Sequence, residues 1–145
     1  MGHSVNEGGA GKPVNALFVC FGGLSNTGYI TALAATEAVR RQGLGKAAIM
    51  CLAGLPAGVK SVAGRAARAK RIITVDGCAN RCARKVVEAA GLAVNKGIVL
   101  SPDLGIVKVP FFREDGAVCH DPMNHVADAD VAKAVEAILK ACEED

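Results

Sequence analysis

The chain has 145 residues, of which 17 are basic and 14 acidic, and it contains six cysteines and no tryptophan. This length is typical of one domain that buries an ordinary hydrophobic core, so neither a metal nor a disulfide is needed for folding. The formal net charge of +3 is small, and few aromatic side chains accompany the basic residues. Both features argue against nucleic acid as a partner.

The beginning of the chain is polar and rich in glycine. We expect residues 1–13 to form a flexible tail and residues 14–145 to form a single α/β domain. No apolar run has the length of a signal-peptide core or of a membrane-spanning helix, which predicts a cytoplasmic protein without a membrane partner. The six cysteines should then be mostly reduced thiols that serve as packing residues, metal ligands or reactive groups.

Short apolar runs alternate with amphipathic helical patterns as far as residue 100. Strands are predicted at residues 14–20, 47–51, 72–75 and 97–100, and helices follow the first three of them. Successive strand–helix units favour parallel strands joined by right-handed crossovers. The pattern therefore predicts a three-layer, doubly wound, mainly parallel sheet of the Rossmann or flavodoxin type.

The end of the chain is harder to assign. Residues 106–112 (IVKVPFF) could form an additional edge strand, where Pro110 would be tolerated. The Asp115-Gly116 pair is typical of a tight turn that would pair this strand with residues 117–118. We therefore expect four to five strands, followed by an amphipathic helix from about residue 128.

The stretch most informative about function is residues 71–91, RIITVDGCANRCARKVVEAAG. Its β-branched start predicts a buried strand, which ends at Asp76-Gly77. Cys78 follows that turn, and Cys82 lies in the first turn of the next predicted helix. Because these two cysteines are four residues apart, their thiols can approach a common point.

Cysteine recurs where the predicted strands end. Cys20 and Cys51 end the first two strands, as Cys78 follows the third, and the carboxyl ends of parallel strands meet at one edge of the sheet. Helix N-termini also gather at that edge and stabilise thiolates. With Cys82 this edge offers four thiols, a ligand set suited to tetrahedral zinc. We therefore predict a zinc site formed by Cys20, Cys51, Cys78 and Cys82.

Other interpretations of the cysteines stay open. Free cysteine is often a core residue, so the four edge cysteines could pack inside a plain binding module. An iron–sulfur cluster, or no cofactor, is the alternative to zinc. Cys142 continues an apolar helical stripe and is interpreted as a packing residue. Cys119, His120 and His125 form a second group of metal-binding residue types whose context indicates no geometry.

Several polar residues accompany the predicted edge. Ser25 and Asn26 follow the Gly22-Gly23 turn and could bind a small anion where the first helix begins, although simple helix capping explains them equally well. Lys85 could reach the same place. Asp76 is a candidate proton acceptor, or else a side chain that organises the turn at Gly77.

These residues resemble the DGC-domain family, named for an Asp-Gly-Cys element that stands here at residues 76–78. The resemblance spans about residues 16–108, so Cys119 and both late histidines are expected to lie outside it. It implies metal binding without implying a reaction. The family's four cysteines, which are proposed metal ligands, correspond to Cys20, Cys51, Cys78 and Cys82, with Ser25-Asn26, Leu52-Ala53-Gly54, Ala83 and Lys85 as further matches.

A second resemblance gives an alternative function. The segment LFVCFGGLSNTG is similar to the strand, loop and helix that open low-molecular-weight tyrosine phosphatases and related arsenate reductases. Cys20 would then be the nucleophile of a thiol-dependent reductase or phosphatase-like enzyme, and Asp121-Pro122 would match the acid element of the phosphatases. Asn26, however, replaces the arginine that holds the oxyanion in those enzymes, which would weaken phosphoryl transfer severely.

The leading hypothesis is a zinc-binding protein whose role would be metal handling, sensing or an uncharacterised metal- or thiol-dependent activity. The partners expected from the sequence are a metal ion and a small anionic ligand. The oligomeric state, including a homodimer, is left open.

Overall fold

The computed structural model describes residues 13–145, and its centre is a sheet of four parallel strands. Their order across the sheet is β2-β1-β3-β4, with β1 and β3 in the middle. The strands are β1 (Asn15–Val19), β2 (Ala47–Ile49), β3 (Ile72–Asp76) and β4 (Lys96–Val99). The predicted α/β fold with a doubly wound parallel sheet is confirmed. The predicted tail falls on residues 1–12, which lie outside the described range, and on residue 13.

Helices cover both faces of this sheet. The α-helices are α1 (Asn26–Gln42), α2 (Lys60–Ala67), α3 (Cys82–Ala89) and α4 (Asp128–Glu143). α1 and α4 share one hydrophobic core with the sheet, and α2 and α3 share the other, which gives the three predicted layers. Two short 3-10 helices lie at Leu52–Gly54 and Pro122–His125. Within residues 13–145, no helix is both long enough and apolar enough to cross a membrane.

The layer formed by α1 and α4 is built largely from small side chains. Ala34 and Ala38 of α1 and Ala134 of α4 are fully buried. Small residues let the helices approach the sheet closely, and Leu17 and Ile138 fill the remaining space. This layer contains the larger of the two cores.

The layer formed by α2 and α3 packs on the opposite face. Ala66 of α2 and Val87 of α3 are buried against Phe18 of β1 and Ile72 of β3. Phe18 and Leu17 are neighbours in sequence but lie in different cores, because successive side chains of a strand point to opposite faces. This alternation determines towards which face of the sheet the side chains directly after β1 and β3 point.

Residues 106–112 do not form the predicted fifth strand, so the sheet has four strands in the described part of the chain. They cross the beginning of α1 instead, and we call them the strap. The strap contacts the start of α1 through an isolated bridge between Ser25 and Pro110 and a 2.8 Å bond from Phe111 N–H to the Leu24 carbonyl. Pro110 has no N–H to donate to a continuous ladder, which limits the pairing.

The tight turn predicted after the strap is present. Gly116 has a φ of 86°, and the Gly116 N–H donates to the Arg113 carbonyl at 3.0 Å. Phe112 and Val118 then form an isolated antiparallel bridge. The chain therefore makes a small hairpin beside the start of α1, outside the sheet.

Candidate functional site

The candidate site lies at the carboxyl edge of the sheet, where the two central strands end. The chain leaves β1 for α1 on one face and leaves β3 for α3 on the opposite face. Adjacent strands whose connections diverge in this way leave a crevice between them, which is the usual ligand site of an open α/β sheet. Cys20 and Cys78 follow these two strands.

Cys20 continues β1 at this crevice, with its N–H donating to the Val75 carbonyl at 2.9 Å. Its thiol is partly buried. Burial raises the pKa of the Cys20 thiol to about 11, and negative charge on Asp76, Cys82 and Cys78 adds to the increase. A hydrogen bond with the Gly22 backbone opposes the shift. The metal-free Cys20 thiol is therefore protonated at neutral pH.

The loop that carries Cys20 is packed tightly against the first turn of α1. A Cβ atom on Gly28 would overlap the carbonyl oxygen of Gly22 and stand 2.7 Å from its carbonyl carbon. The loop after β3 is equally close, because a Cβ on Gly77 would stand 2.9 Å from the Thr27 hydroxyl. Glycine at positions 28 and 77 thus allows both cysteine loops to lie against α1.

Asp76 ends β3 and fixes the start of α3. Its buried carboxylate accepts hydrogen bonds from the backbone N–H groups of Ala83 at 2.7 Å and Arg84 at 3.2 Å. Burial raises the pKa of Asp76, while these two bonds and the positive charges of Arg81 and Arg84 oppose the increase. The structure gives Asp76 this capping contact, and its proposed part in catalysis stays a prediction.

Cys78 and Cys82 come from the short loop between β3 and α3. Cys78 is partly buried and Cys82, the first residue of α3, is exposed. Arg81 between them has a left-handed backbone with φ of 51°, and its N–H donates to the Cys78 carbonyl at 3.1 Å. The loop therefore turns sharply, and both thiols are near enough to Cys20 for their charge to affect its pKa.

Cys51 lies beyond β2 at the same edge. Its side chain is exposed, and it precedes the 3-10 helix Leu52–Gly54. Cys51 is not among the groups whose charge shifts the pKa of Cys20. Across residues 13–145, no three His, Cys, Asp or Glu side chains are gathered in a geometry that would hold a metal ion. The four predicted ligands share an edge of the sheet, but the four-cysteine cluster stays a prediction.

A model of the DGC domain matches residues 16–138. The chain belongs to the DGC-domain family. The match reaches well beyond Lys108 and includes Cys119, His120 and His125, so the expectation that these residues lie outside the resemblance was wrong. In the same comparisons, no curated protein and no solved structure matches the chain.

In this DGC domain the side chain of Asn26 holds the strap. The Asn26 amide donates to the Val107 carbonyl at 3.0 Å and accepts from the Val109 N–H at 2.6 Å. Asn26 is buried, and its two amide ends are used in these bonds. The residue at the position of the phosphatase arginine therefore ties two segments of the chain together, and its predicted contact with an anion stays untested.

The other two predicted anion-binding residues of the DGC domain differ in exposure. The Ser25 hydroxyl is buried and lies 2.9 Å from the Thr27 hydroxyl, and it does not cap α1. Lys85 is exposed on α3, three residues after Cys82. Lys85 is thus placed to meet a ligand from solvent, whereas Ser25 is not.

We expect Asn26→Ala to lower the free energy of unfolding by about 2 kcal/mol, because it leaves the Val107 carbonyl and the Val109 N–H without their partner. Urea denaturation measures this loss, and hydrogen exchange at the Val109 amide should become faster. Asn124→Ala, at an exposed position, is the control. Unchanged protection at Val109 would show that Asn26 does not hold the strap.

The second predicted group of metal-binding residue types does not form a metal site in this geometry. The Cys119 thiol donates to the Asp121 carbonyl at 3.2 Å, and the His125 ring lies 6.0 Å from that of Phe111. His120 is exposed. Cys142, by contrast, is buried in the core between α1 and α4, so its predicted packing role is confirmed.

Sequence reasoning missed an aromatic group beside the Cys20 loop. Tyr29 packs edge-on against Phe21, with ring centroids 5.3 Å apart, and against Phe111 at 5.8 Å. Phe21 and Leu24 remain largely exposed. The signal was available, because three of the five aromatic rings in the chain, those of Phe18, Phe21 and Tyr29, lie within ten residues of Cys20.

Proposed function

We propose that this DGC domain binds zinc at the carboxyl edge of its sheet, with ligands drawn from Cys20, Cys51, Cys78 and Cys82. The observation that supports the proposal is the position of three free cysteines, Cys20, Cys78 and Cys82, after the ends of β1 and β3, where negative charge on Cys78 and Cys82 raises the pKa of Cys20. Thiolate sulfur is a preferred ligand of Zn²⁺. Membership of the DGC-domain family supports the same assignment.

The chemistry of these side chains fits a zinc ion. A cysteine thiol moves by rotation about a single side-chain bond, so the sulfurs can change position without a change of fold. Ligation requires the thiolate form, and the Cys20 thiol holds its proton up to a pH of about 11. Binding should therefore release a proton from Cys20. A bound zinc ion would supply positive charge that offsets the charge of the thiolates and of Asp76.

The two hydrophobic cores indicate that the metal is not needed to fold the domain. Both faces of the sheet are covered, large side chains such as Phe18, Ile30 and Leu100 are fully buried, and none of the four edge cysteines is a member of either core. A domain of this size is stable without a structural metal. The proposed site therefore serves metal handling, sensing or a metal-dependent activity.

The alternative of a Cys20-dependent enzyme has less support. A nucleophilic cysteine needs a lowered pKa, and that of Cys20 is raised. Asn26, at the position where the related enzymes carry arginine, is engaged with the strap. Neither activation of the thiol nor stabilisation of an oxyanion follows from these residues.

Elemental analysis of anaerobically purified, untagged protein tests the proposal. We expect about one zinc ion per chain, retained in Cys119→Ser and lost in Cys78→Ser, because Cys78 follows β3 at the crevice whereas Cys119 lies in the hairpin after the strap. Circular dichroism should show that both variants stay folded. A visible absorption band would point to an iron–sulfur cluster instead. Absence of metal, even after reconstitution with zinc, would overturn the proposal.

A further inference from the structure

The four cysteines do not all lie on the same face of the sheet. We infer that a metal ion at this edge is held by three thiols, those of Cys20, Cys78 and Cys82, that Cys51 is not a ligand, and that a fourth coordination position accepts an exchangeable small anion. This inference rests on the proposed function. It changes the site from a closed four-cysteine centre to an open one.

The side chain of Cys20 lies on the face that α2 and α3 cover. Ala16 and Phe18 of β1 belong to the core of that face, and Cys20 is the next residue in the same alternation. The bond from the Cys20 N–H to the Val75 carbonyl, at 2.9 Å, shows that the pairing between the two central strands continues to this residue. The thiol of Cys20 is therefore directed towards the side from which α3 begins.

Cys78 and Cys82 belong to that same side. The Asp76 side chain bonds the first turn of α3 through Ala83 and Arg84, so it shares the face of Ile72, four residues earlier in β3. Cys82 is the first residue of α3, and Cys78 lies in the loop that leads to it. The residues Cys20, Cys78 and Cys82 thus lie on the side of the sheet that α3 covers.

The side chain of Cys51 lies on the opposite face, which α1 and α4 cover. Ala47 of β2 is buried in the core that α1 and α4 cover, whereas Met50 packs against the core of α2 and α3. The Met50 N–H donates to the Leu17 carbonyl at 2.8 Å, so β2 keeps its pairing as far as Met50. The backbone of Cys51 is still extended, with φ of −73° and ψ of 105°. Alternation then directs its exposed side chain away from Cys20.

The remaining position faces solvent beside positive charge. Asp76 is 2% exposed and uses its two oxygens to bond Ala83 and Arg84, so it does not supply a fourth ligand. Cys82 is exposed, as are Arg81 and Lys85 on either side of it, and neither cation forms an ion pair within residues 13–145. Their charge favours an anion over a neutral ligand at this position.

Cobalt(II) substitution tests the ligand set. The wild-type protein and Cys51→Ser should each bind one Co²⁺ per chain with the same thiolate-to-cobalt absorption, whereas Cys20→Ser, Cys78→Ser and Cys82→Ser should each lose about a third of that absorption or lose the metal. Azide should shift the visible cobalt bands in the wild-type protein. Loss of absorption in Cys51→Ser, or visible bands that azide leaves unchanged, would overturn the inference.

A second measurement avoids any effect of the substitutions on folding. In the wild-type chain, Cd²⁺ should protect Cys20, Cys78 and Cys82 from N-ethylmaleimide while Cys51 reacts at its metal-free rate, as mass spectrometry of the peptides would show. Protection of Cys51 would overturn the three-thiol assignment while leaving metal binding intact. Failure of the wild-type protein to bind either metal would overturn the proposed function as well, so the two failures are distinguishable.

Discussion

Gly28→Ala is expected to destabilise the protein by about 3 kcal/mol or more, because the added Cβ would overlap the carbonyl oxygen of Gly22. The atoms in the way belong to the backbone of the loop that carries Cys20, and no flexible side chain can yield instead. The loop must therefore move away from α1. Urea denaturation followed by circular dichroism measures the loss of stability.

Gly45→Ala is the matched control for this substitution. A Cβ at position 45 meets no atom within 4 Å, so the change should stay within about 0.5 kcal/mol of the wild type. Any folded fraction of Gly28→Ala should also bind metal more weakly, since the displaced loop carries Cys20. Wild-type stability in Gly28→Ala would show that the loop and α1 are not in close contact.

Alkylation of Cys20 in the metal-free protein is expected to be slow. With a pKa of about 11, against an ordinary value of 9.0, the Cys20 thiol should contain roughly 100-fold less thiolate at pH 8. Mass spectrometry of the Cys20 peptide after timed treatment with iodoacetamide should show a rate that keeps increasing until about pH 11. A rate that levels off near neutral pH would contradict this prediction and favour the nucleophile hypothesis.

Asp76→Asn separates the two causes of this raised pKa. Removing the carboxylate should lower the pKa of Cys20, but burial is the larger cause and should keep that pKa above the ordinary value. Glu88→Gln makes the same chemical change at an exposed carboxylate of α3 and should have no effect on Cys20. An equal shift in both variants would assign the effect to overall charge.

The raised pKa of Cys20 makes the stability of the protein depend on pH above about pH 9. Between about pH 9 and pH 11, the unfolded chain releases the Cys20 proton while the folded chain keeps it. The unfolded state then binds fewer protons than the folded state, so the contribution of Cys20 to stability decreases as the pH rises through this range. Below pH 9 both states hold the proton, and Cys20 contributes no pH dependence.

The parallel sheet could be predicted from the sequence because its strands are short, apolar and separated by helical patterns. The β-branched run at residues 72–75 shows this most clearly, since β3 occupies Ile72–Asp76. The strap could be interpreted from the sequence as a fifth strand because its apolar pattern is also that of an edge strand. Its actual partner is the amide of Asn26, 81 residues away from Val107, and such a contact has no local pattern.

The placement of Cys20, Cys51 and Cys78 after strand ends was also predictable, whereas the face of the sheet on which each lies was not. Cys20, Cys51 and Cys78 follow strand ends, and parallel strands place those ends at one edge. Which thiols share a face depends on where each strand stops, and β2 ends two residues before Cys51. The capping bonds of Asp76 to α3 likewise require the three-dimensional arrangement, because the sequence indicates only a turn there.

The pairing of α1 with α4 affects how the protein is made in the cell. Residues 43–127 separate these two helices, so the ribosome completes α1 and all four strands before it begins α4. During that interval the face of the sheet bearing Leu17, Ile73 and Val75 lacks half of its cover. Exposed apolar surface of this kind binds chaperones and promotes aggregation. Final folding of the nascent chain must therefore wait for α4.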